Sequence, residues 1–270
     1  MKEGLSVRYR RLKGKGIGSG SRLLRTYISI LFVIILAADA CIFSYFIRPE
    51  TWTVIIGFAL LVFSLIFSLI IASFPFEDRF SNVGGVLSII AAVSVLAITL
   101  PSIGDPYQNS AIFSLISIGS ILLWRERPVD KSAGGLPRMT ILVLLLILPV
   151  VLALGEYLIL DRDFFFILTE SPPFWFLPIA AMFGYFEEML FRGGLQRNLE
   201  KVTSPNVSLL AGATLNAGLM VFWGSLYVIA FVFVIAMMLG YIFQKYHSAS
   251  LCGLIRSIES FSFVLMLILS

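Results

Sequence analysis

The groups able to do chemistry in this chain are a few charged side chains set in apolar surroundings. The most informative are Glu187, Glu188 and Arg192, in the string FGYFEEMLFRGGLQ. Glu188 and Arg192 stand four apart, so on a helix they share a face and can pair. Glu187 points about 100° away round the axis, toward a different neighbour. One carboxylate is then neutralised by the guanidinium. The other is left to hold a proton, a water or a cation, and can serve as a general base. The competing structural account is an ion pair at a helix end with a snorkelling arginine. A second pair, Arg256 and Glu259, is three apart in the last apolar run. Its plain account is a local pair that keeps the helix insertable. Its functional account turns both side chains toward Glu187 and Glu188, in one buried network of alternating sign.

The remaining candidates carry less. Asn216 can donate a hydrogen bond inside an apolar segment. His247 is the only histidine, in the short loop QKYHSAS beside Lys245. One imidazole alone rarely makes a metal site, so it reads as a solvated loop residue. Cys41 and Cys252 sit in apolar runs and give neither a disulfide framework nor a zinc-finger spacing. No metal site, no tightly held zinc and no cofactor is expected. Asp39, in AADAC, needs a donor from another helix. Glu156 is expected to snorkel toward Arg162. Neither is assigned a catalytic role.

These side chains must be positioned by apolar helices. Of the 270 residues 59% are hydrophobic and 13% charged, and the mean hydropathy is +0.96. A soluble domain carries about 45–50% apolar and about 25% charged residues, so a water-soluble globule is excluded. A bilayer core needs about 20 apolar residues of helix. Nine such stretches run approximately over 24–47, 52–74, 84–103, 110–124, 139–160, 174–196, 207–223, 225–244 and 249–269. The fourth and seventh are short enough to be tilted, re-entrant or buried among the others. Lipid cannot satisfy an open backbone, and the runs are too continuous for barrel strands. The expected fold class is all-α: a polytopic membrane helix bundle of about nine transmembrane helices, or eight if one is re-entrant.

Charge fixes the expected orientation. With the amino terminus in the cytosol, seventeen of the 20 Lys and Arg fall in the amino-terminal arm or the cytoplasmic loops. That is the positive-inside pattern, and it puts the carboxyl terminus outside a plasma or cytoplasmic membrane. Residues 1–23 read as a basic cytosolic arm, disordered where KGKGIGSGS supplies linker chemistry, and not as a cleaved signal peptide. Residues 24–138 read as amino-terminal transmembrane helices, and 139–270 as the functional core. The stretch DRDFFFILTESPPFWF reads as an interfacial aromatic belt. Small residues in Leu210–Ala213 and at Gly240 permit close helix packing. A net charge of +4 points to membrane lipids and not to nucleic acid.

The string EEMLFRGGLQ resembles the EExxxR(G) motif of the CPBP intramembrane protease family, which includes the type II CAAX prenyl endopeptidases and bacteriocin-immunity (ABI) proteins. The matching residues are Glu187, Glu188, Arg192 and Gly193, with Phe191 before the arginine. The resemblance covers roughly 174–261 and implies a 139–270 core of that type. It implies that Glu187 activates water to attack a peptide carbonyl, with Glu188 and Arg192 in support. The family's two other motifs, FxxxH and HxxxN, do not carry over. The first falls near Asn216–Met220 (NAGLM) and the second within RSIESFS, and neither holds a histidine. Asn216 or Arg256 could replace an imidazole as oxyanion donor. The loss of even one such donor costs on the order of 10²–10³ in rate. The implied function is a membrane endopeptidase homologue that is degenerate or weakly active on a membrane peptide or protein.

Two other functions fit the same residues. One is a non-catalytic binding or immunity-type protein on the same fold. The other is a small proton- or cation-coupled transporter using the buried acids. No internal repeat is visible, and Pro149 is the only clear mid-helix proline, which counts against a transporter. The charge pattern makes one prediction: a glycosylation or reporter tag at Ser270 should read as extracytoplasmic, and a cytosolic signal would overturn the nine-span count.

Overall fold

An apolar run in lipid must bond its own backbone, and the helix is the form that does so within one segment. The computed structural model describes residues 17–73, 78–99, 115–119, 143–159, 174–221 and 225–270, together with Ile112 and Thr140. These residues form an all-α membrane bundle. In chain order the helices are α1 (Ile17–Ile47), α2 (Thr51–Ser73), α3 (Asp78–Thr99), α4 (Leu148–Ile159), α5 (Phe176–Glu188), α6 (Pro205–Gly218), α7 (Leu226–Tyr246) and α8 (Ala249–Leu269).

Among the described residues four segments are long and apolar enough to cross a bilayer: Arg25–Ile47, Thr51–Ser73, Leu226–Tyr246 and Ala249–Leu269. Only 28% of the most apolar window of each of the first two is buried in the protein. The rest presents large side chains such as Ile47, Ile55, Ile56, Phe63 and Ile66 outward. A soluble monomer rarely exposes so continuous an apolar surface, so this face belongs against acyl chains. Phe174 and Trp175 are exposed just ahead of α5.

Several boundaries differ from the sequence expectation. Helix α1 starts at Ile17, so residues 17–23, expected in a disordered arm, continue the apolar helix toward the amino terminus. The arm's first sixteen residues, the loop 125–138 and most of the aromatic stretch 161–176 lie outside the described residues. So does most of the fourth apolar stretch. The fifth stretch opens as a π-helix, Val143–Ile147, before α4. Pro149 follows at once. A proline lacks the N–H for its turn and its ring crowds the carbonyl four residues back, so a widened turn there relieves both. The seventh stretch is only 14 residues of helix, α6.

The sixth stretch also departs from a continuous α-helix. Helix α5 stops at Glu188, and Met189–Gln196 (MLFRGGLQ) continues as a π-helix into a last turn at Arg197–Leu199. Gly193 and Gly194 weaken ordinary helix there. All eight residues of the widened segment are buried, and such insertions concentrate at functional sites. Its Leu190, Phe191 and Leu195 join the core built by α1 and α3. Its Met189 joins a second core made by α7 and α8. The segment thus ties the two halves of the described bundle together.

Serines start the helices that follow. Ser204, ahead of Pro205, accepts from the Val207 N–H at 3.4 Å. Ser248 accepts from the Leu251 N–H at 3.2 Å. Both supply acceptors to otherwise orphaned donors. The connection between α7 and α8 is only His247 and Ser248. His247 takes a left-handed backbone, φ 50°, and its N–H bonds the Phe243 carbonyl at 2.6 Å.

Helix α8 packs most extensively along α5. The approach is close because Gly184 has no side chain. A Cβ there would lie 2.6 Å from the Arg256 carbonyl oxygen and 2.7 Å from Ser260 Oγ. On the opposite side of the seam a Cβ at Gly253 would meet the Tyr185 ring. Backbone cannot step aside as a flexible side chain can. Gly184→Ala should therefore destabilise the fold by about 1–3 kcal/mol, read as a lower thermal midpoint in detergent. An unchanged midpoint would mean the α5–α8 seam is looser than described.

Candidate active site

The site begins with Glu188 and Arg192, at the junction of α5 with the π-helix. Both are buried to within 1% of full burial. Arg192 Nε donates to Glu188 Oε2 at 2.9 Å. Its Nη1 donates to Gln196 Oε1 at 3.2 Å, and its Nη2 to the Ala236 carbonyl of α7 at 2.7 Å. Gln196 in turn donates to the Gly240 carbonyl at 3.1 Å and to Glu200 at 3.2 Å. This ladder runs along one face at spacings of four.

Two glycines make room for the guanidinium. A Cβ at Gly212 or at Gly240 would stand 3.3 Å from Arg192 Nη1. The small residues read from sequence as packing positions therefore also shape the arginine's slot. Gln196 was not singled out by sequence reasoning. Its place four residues after Arg192 was the available signal.

Glu187 faces the other way, onto α8. Its side chain is 2% exposed, and its Oε2 lies 3.5 Å from Arg256 Nε. Among the described residues neither of its oxygens accepts a hydrogen bond. Arg256 makes its short contact with Glu259, Nη1 to Oε2 at 2.7 Å. Ser260 Oγ donates to the same Glu259 oxygen at 3.3 Å. Arg256 and Glu259 thus form the local pair, and the same arginine reaches across the seam to Glu187.

A third carboxylate joins them. Glu156 Oε2 of α4 lies 3.9 Å from Arg256 Nη1. Arg162, toward which Glu156 can snorkel by the sequence reading, lies outside the described residues. The tertiary reason for the Arg256 contact is that α4 packs along α8 and carries Glu156 to the face that holds Arg256. Nothing in the local sequence around Glu156 signals that partner.

Other candidates lie elsewhere. Asn216 is buried at 2% on α6, and its Oδ1 accepts no hydrogen bond. Two residues on, Gly218 abuts Asp39 Oδ2, where a Cβ could not fit. Among the described residues Asp39 Oδ1 has no hydrogen-bond partner. His247 is exposed at the end of α7, its ring edge-on to Phe243. Cys41 and Cys252 are free thiols, and Cys252 Sγ donates to the Leu239 carbonyl at 3.3 Å. Among the described residues no three His, Cys, Asp or Glu side chains are grouped to hold a metal ion.

The arrangement offers a buried acceptor, Glu187, beside a buried multivalent donor, Arg256. Residues 169–261 match the family model for Rce1-like, type II CAAX prenyl endopeptidase Rce1-like proteins. The match spans about a third of the chain and contains both arginines and every site acid except Glu156. This segment is similar to the CAAX-protease-like membrane family, in line with the CPBP resemblance of its EExxxR string. No curated protein and no solved structure matches the chain.

A buried charge pair is strongly destabilised when one partner is removed, by about 3–5 kcal/mol, because the other charge is left uncompensated. Arg192→Leu should show that loss as reduced yield and a lower thermal midpoint. Arg192→Leu combined with Glu188→Gln should recover part of it. Equal stability of the single variant and the parent would show that the pair does not hold the junction.

Proposed function

We propose that the chain is a CAAX-prenyl-protease-like intramembrane endopeptidase homologue, weakly active, in which Glu187 activates the attacking water. The supporting observation is the Glu187 carboxylate: buried, with no hydrogen bond to either oxygen, 3.5 Å from the Arg256 guanidinium. A carboxylate whose oxygens are already bonded has little capacity left for a water; this one has both oxygens open. Glu187 takes a proton as the water oxygen bonds to the peptide carbonyl carbon. The oxyanion draws on guanidinium hydrogens of Arg256, which carries five N–H donors. The proton on Glu187 then passes to the leaving amine as the C–N bond breaks. Glu188 and Arg192 hold the junction from which Glu187 projects. The substrate is a peptide or protein reached from the membrane, and the orientation has the amino terminus in the cytosol and the carboxyl terminus outside.

A second reading, a binding or immunity-type protein without catalysis, is favoured by one specific observation. The positions where the family's motifs place histidines hold none, and His247 is exposed at a helix end. Arg256 alone must then do the work of two lost donors, each worth on the order of 10²–10³ in rate.

The two readings separate in one experiment. The full chain is reconstituted in liposomes with a quenched fluorescent membrane peptide. Glu187→Gln should abolish cleavage while leaving peptide binding intact. Parent protein that binds the peptide and never cuts it would establish the binding reading instead.

A further inference from the structure

Arg256 is shared by more acid than it can neutralise. Glu259 Oε2 and Glu156 Oε2 both flank its Nη1, at 2.7 and 3.9 Å, and Glu187 faces its Nε at 3.5 Å. These acids come from three helices, α8, α4 and α5. The fourth acid, Glu188, follows Glu187 in the chain and is already paired with Arg192. Four carboxylates against two guanidiniums leave an excess of two negative charges in a buried cluster. An uncompensated charge in such a place costs several kcal/mol, so added protons are the simplest remedy.

Geometry indicates where one proton belongs. Glu156 Oε2 and Glu259 Oε2 face the same nitrogen of Arg256, at 3.9 and 2.7 Å, so the two carboxyl groups crowd one donor. Two ionised carboxylates are acceptors only and cannot bond; one proton between them makes a donor and an acceptor. Glu259 is fully buried, and its Oε1 is without any partner among the described residues. The Oε2 atom is already occupied by Arg256 and Ser260. A proton held between the two acids reduces the negative charge that the single guanidinium nitrogen must balance.

We propose that Glu156 and Glu259 are a proton-sharing carboxyl pair, held on one nitrogen of Arg256, and that the pair is a proton-binding site inside the bundle. Glu156 lies outside the family-matched segment, so the site belongs to this chain's own architecture. It stands whether or not the chain cleaves peptides. With one proton in the pair the cluster keeps a single excess negative charge. That charge is cancelled when Glu187 accepts a proton, the event which the hydrolytic reading requires. Glu156 is then a positioning residue: by sharing its proton with Glu259 it sets how much positive charge Arg256 presents to Glu187.

The test is infrared difference spectroscopy on the full chain in lipid at neutral pH, in H2O and D2O. An Asp39→Asn background removes a buried acid remote from the cluster, and the glutamine variants separate the pair's band from any contribution of Glu187 or Glu188. The expected result is a deuterium-sensitive carbonyl band of a protonated carboxyl group, lost in Glu156→Gln and in Glu259→Gln. Glutamine can donate its amide hydrogen where the shared proton was, so Glu156→Gln should keep the parent's thermal midpoint while Glu156→Leu lowers it. A band of undiminished intensity in both glutamine variants would overturn the proposal. So would the absence of any such band in the Asp39→Asn protein, a measurement that needs neither glutamine variant to fold. Loss of cleavage with the band intact would count against the hydrolytic role of Arg256 alone.

Discussion

A guanidinium buried in an apolar bundle must find an acceptor for each of its nitrogens, and the architecture around Arg192 follows from that requirement. Its three nitrogens reach Glu188, Gln196 and the Ala236 carbonyl. The first two acceptors lie on its own segment and the third on α7. Satisfying the side chain therefore joins the two elements. The slot exists because Gly212 and Gly240 present no Cβ. The widened helical turn around Arg192 buries all eight of its residues between the two apolar cores. Charge satisfaction and core packing are here one arrangement, and neither could form without the other.

Arg256 is the contrasting case. It is over-supplied with acids where Arg192 is matched one to one. The difference gives the two clusters different capacities. The Arg192 ladder commits all three guanidinium nitrogens to acceptors, so it serves rigidity. The Arg256 cluster has open oxygens on Glu187 and Glu259. Open acceptors in a buried cluster are costly to keep, and they are what a proton, a water or a substrate N–H can use. Both clusters border α5, so the adjacent acids Glu187 and Glu188 face different partners: Glu188 pairs with Arg192 at the helix junction and Glu187 faces the Arg256 cluster.

Several features were legible in the amino-acid order because they are local. Composition and run length give an all-helical membrane bundle, since lipid leaves the backbone no other economical partner. A spacing of four brings Glu188 to Arg192, and a spacing of three brings Arg256 to Glu259. Both follow from the helical repeat and hold wherever the helix is placed. The EExxxR string pointed to the family that the match over 169–261 supports. The exposed place of His247 agrees with its loop context.

What the order of residues alone determined, then, is which segments enter the membrane and which charges pair within a turn, because both depend on neighbours no more than a few positions away. Only the tertiary structure decided which charges meet across helices. Glu187 finds Arg256 because Gly184 lets α5 and α8 approach at van der Waals contact. Glu156 finds the same arginine because α4 lies along α8. A carboxylate's sequence neighbours do not specify a partner a hundred residues away; packing does, by choosing which faces of two helices are pressed together and leaving the buried charge a single direction in which to find its counterion.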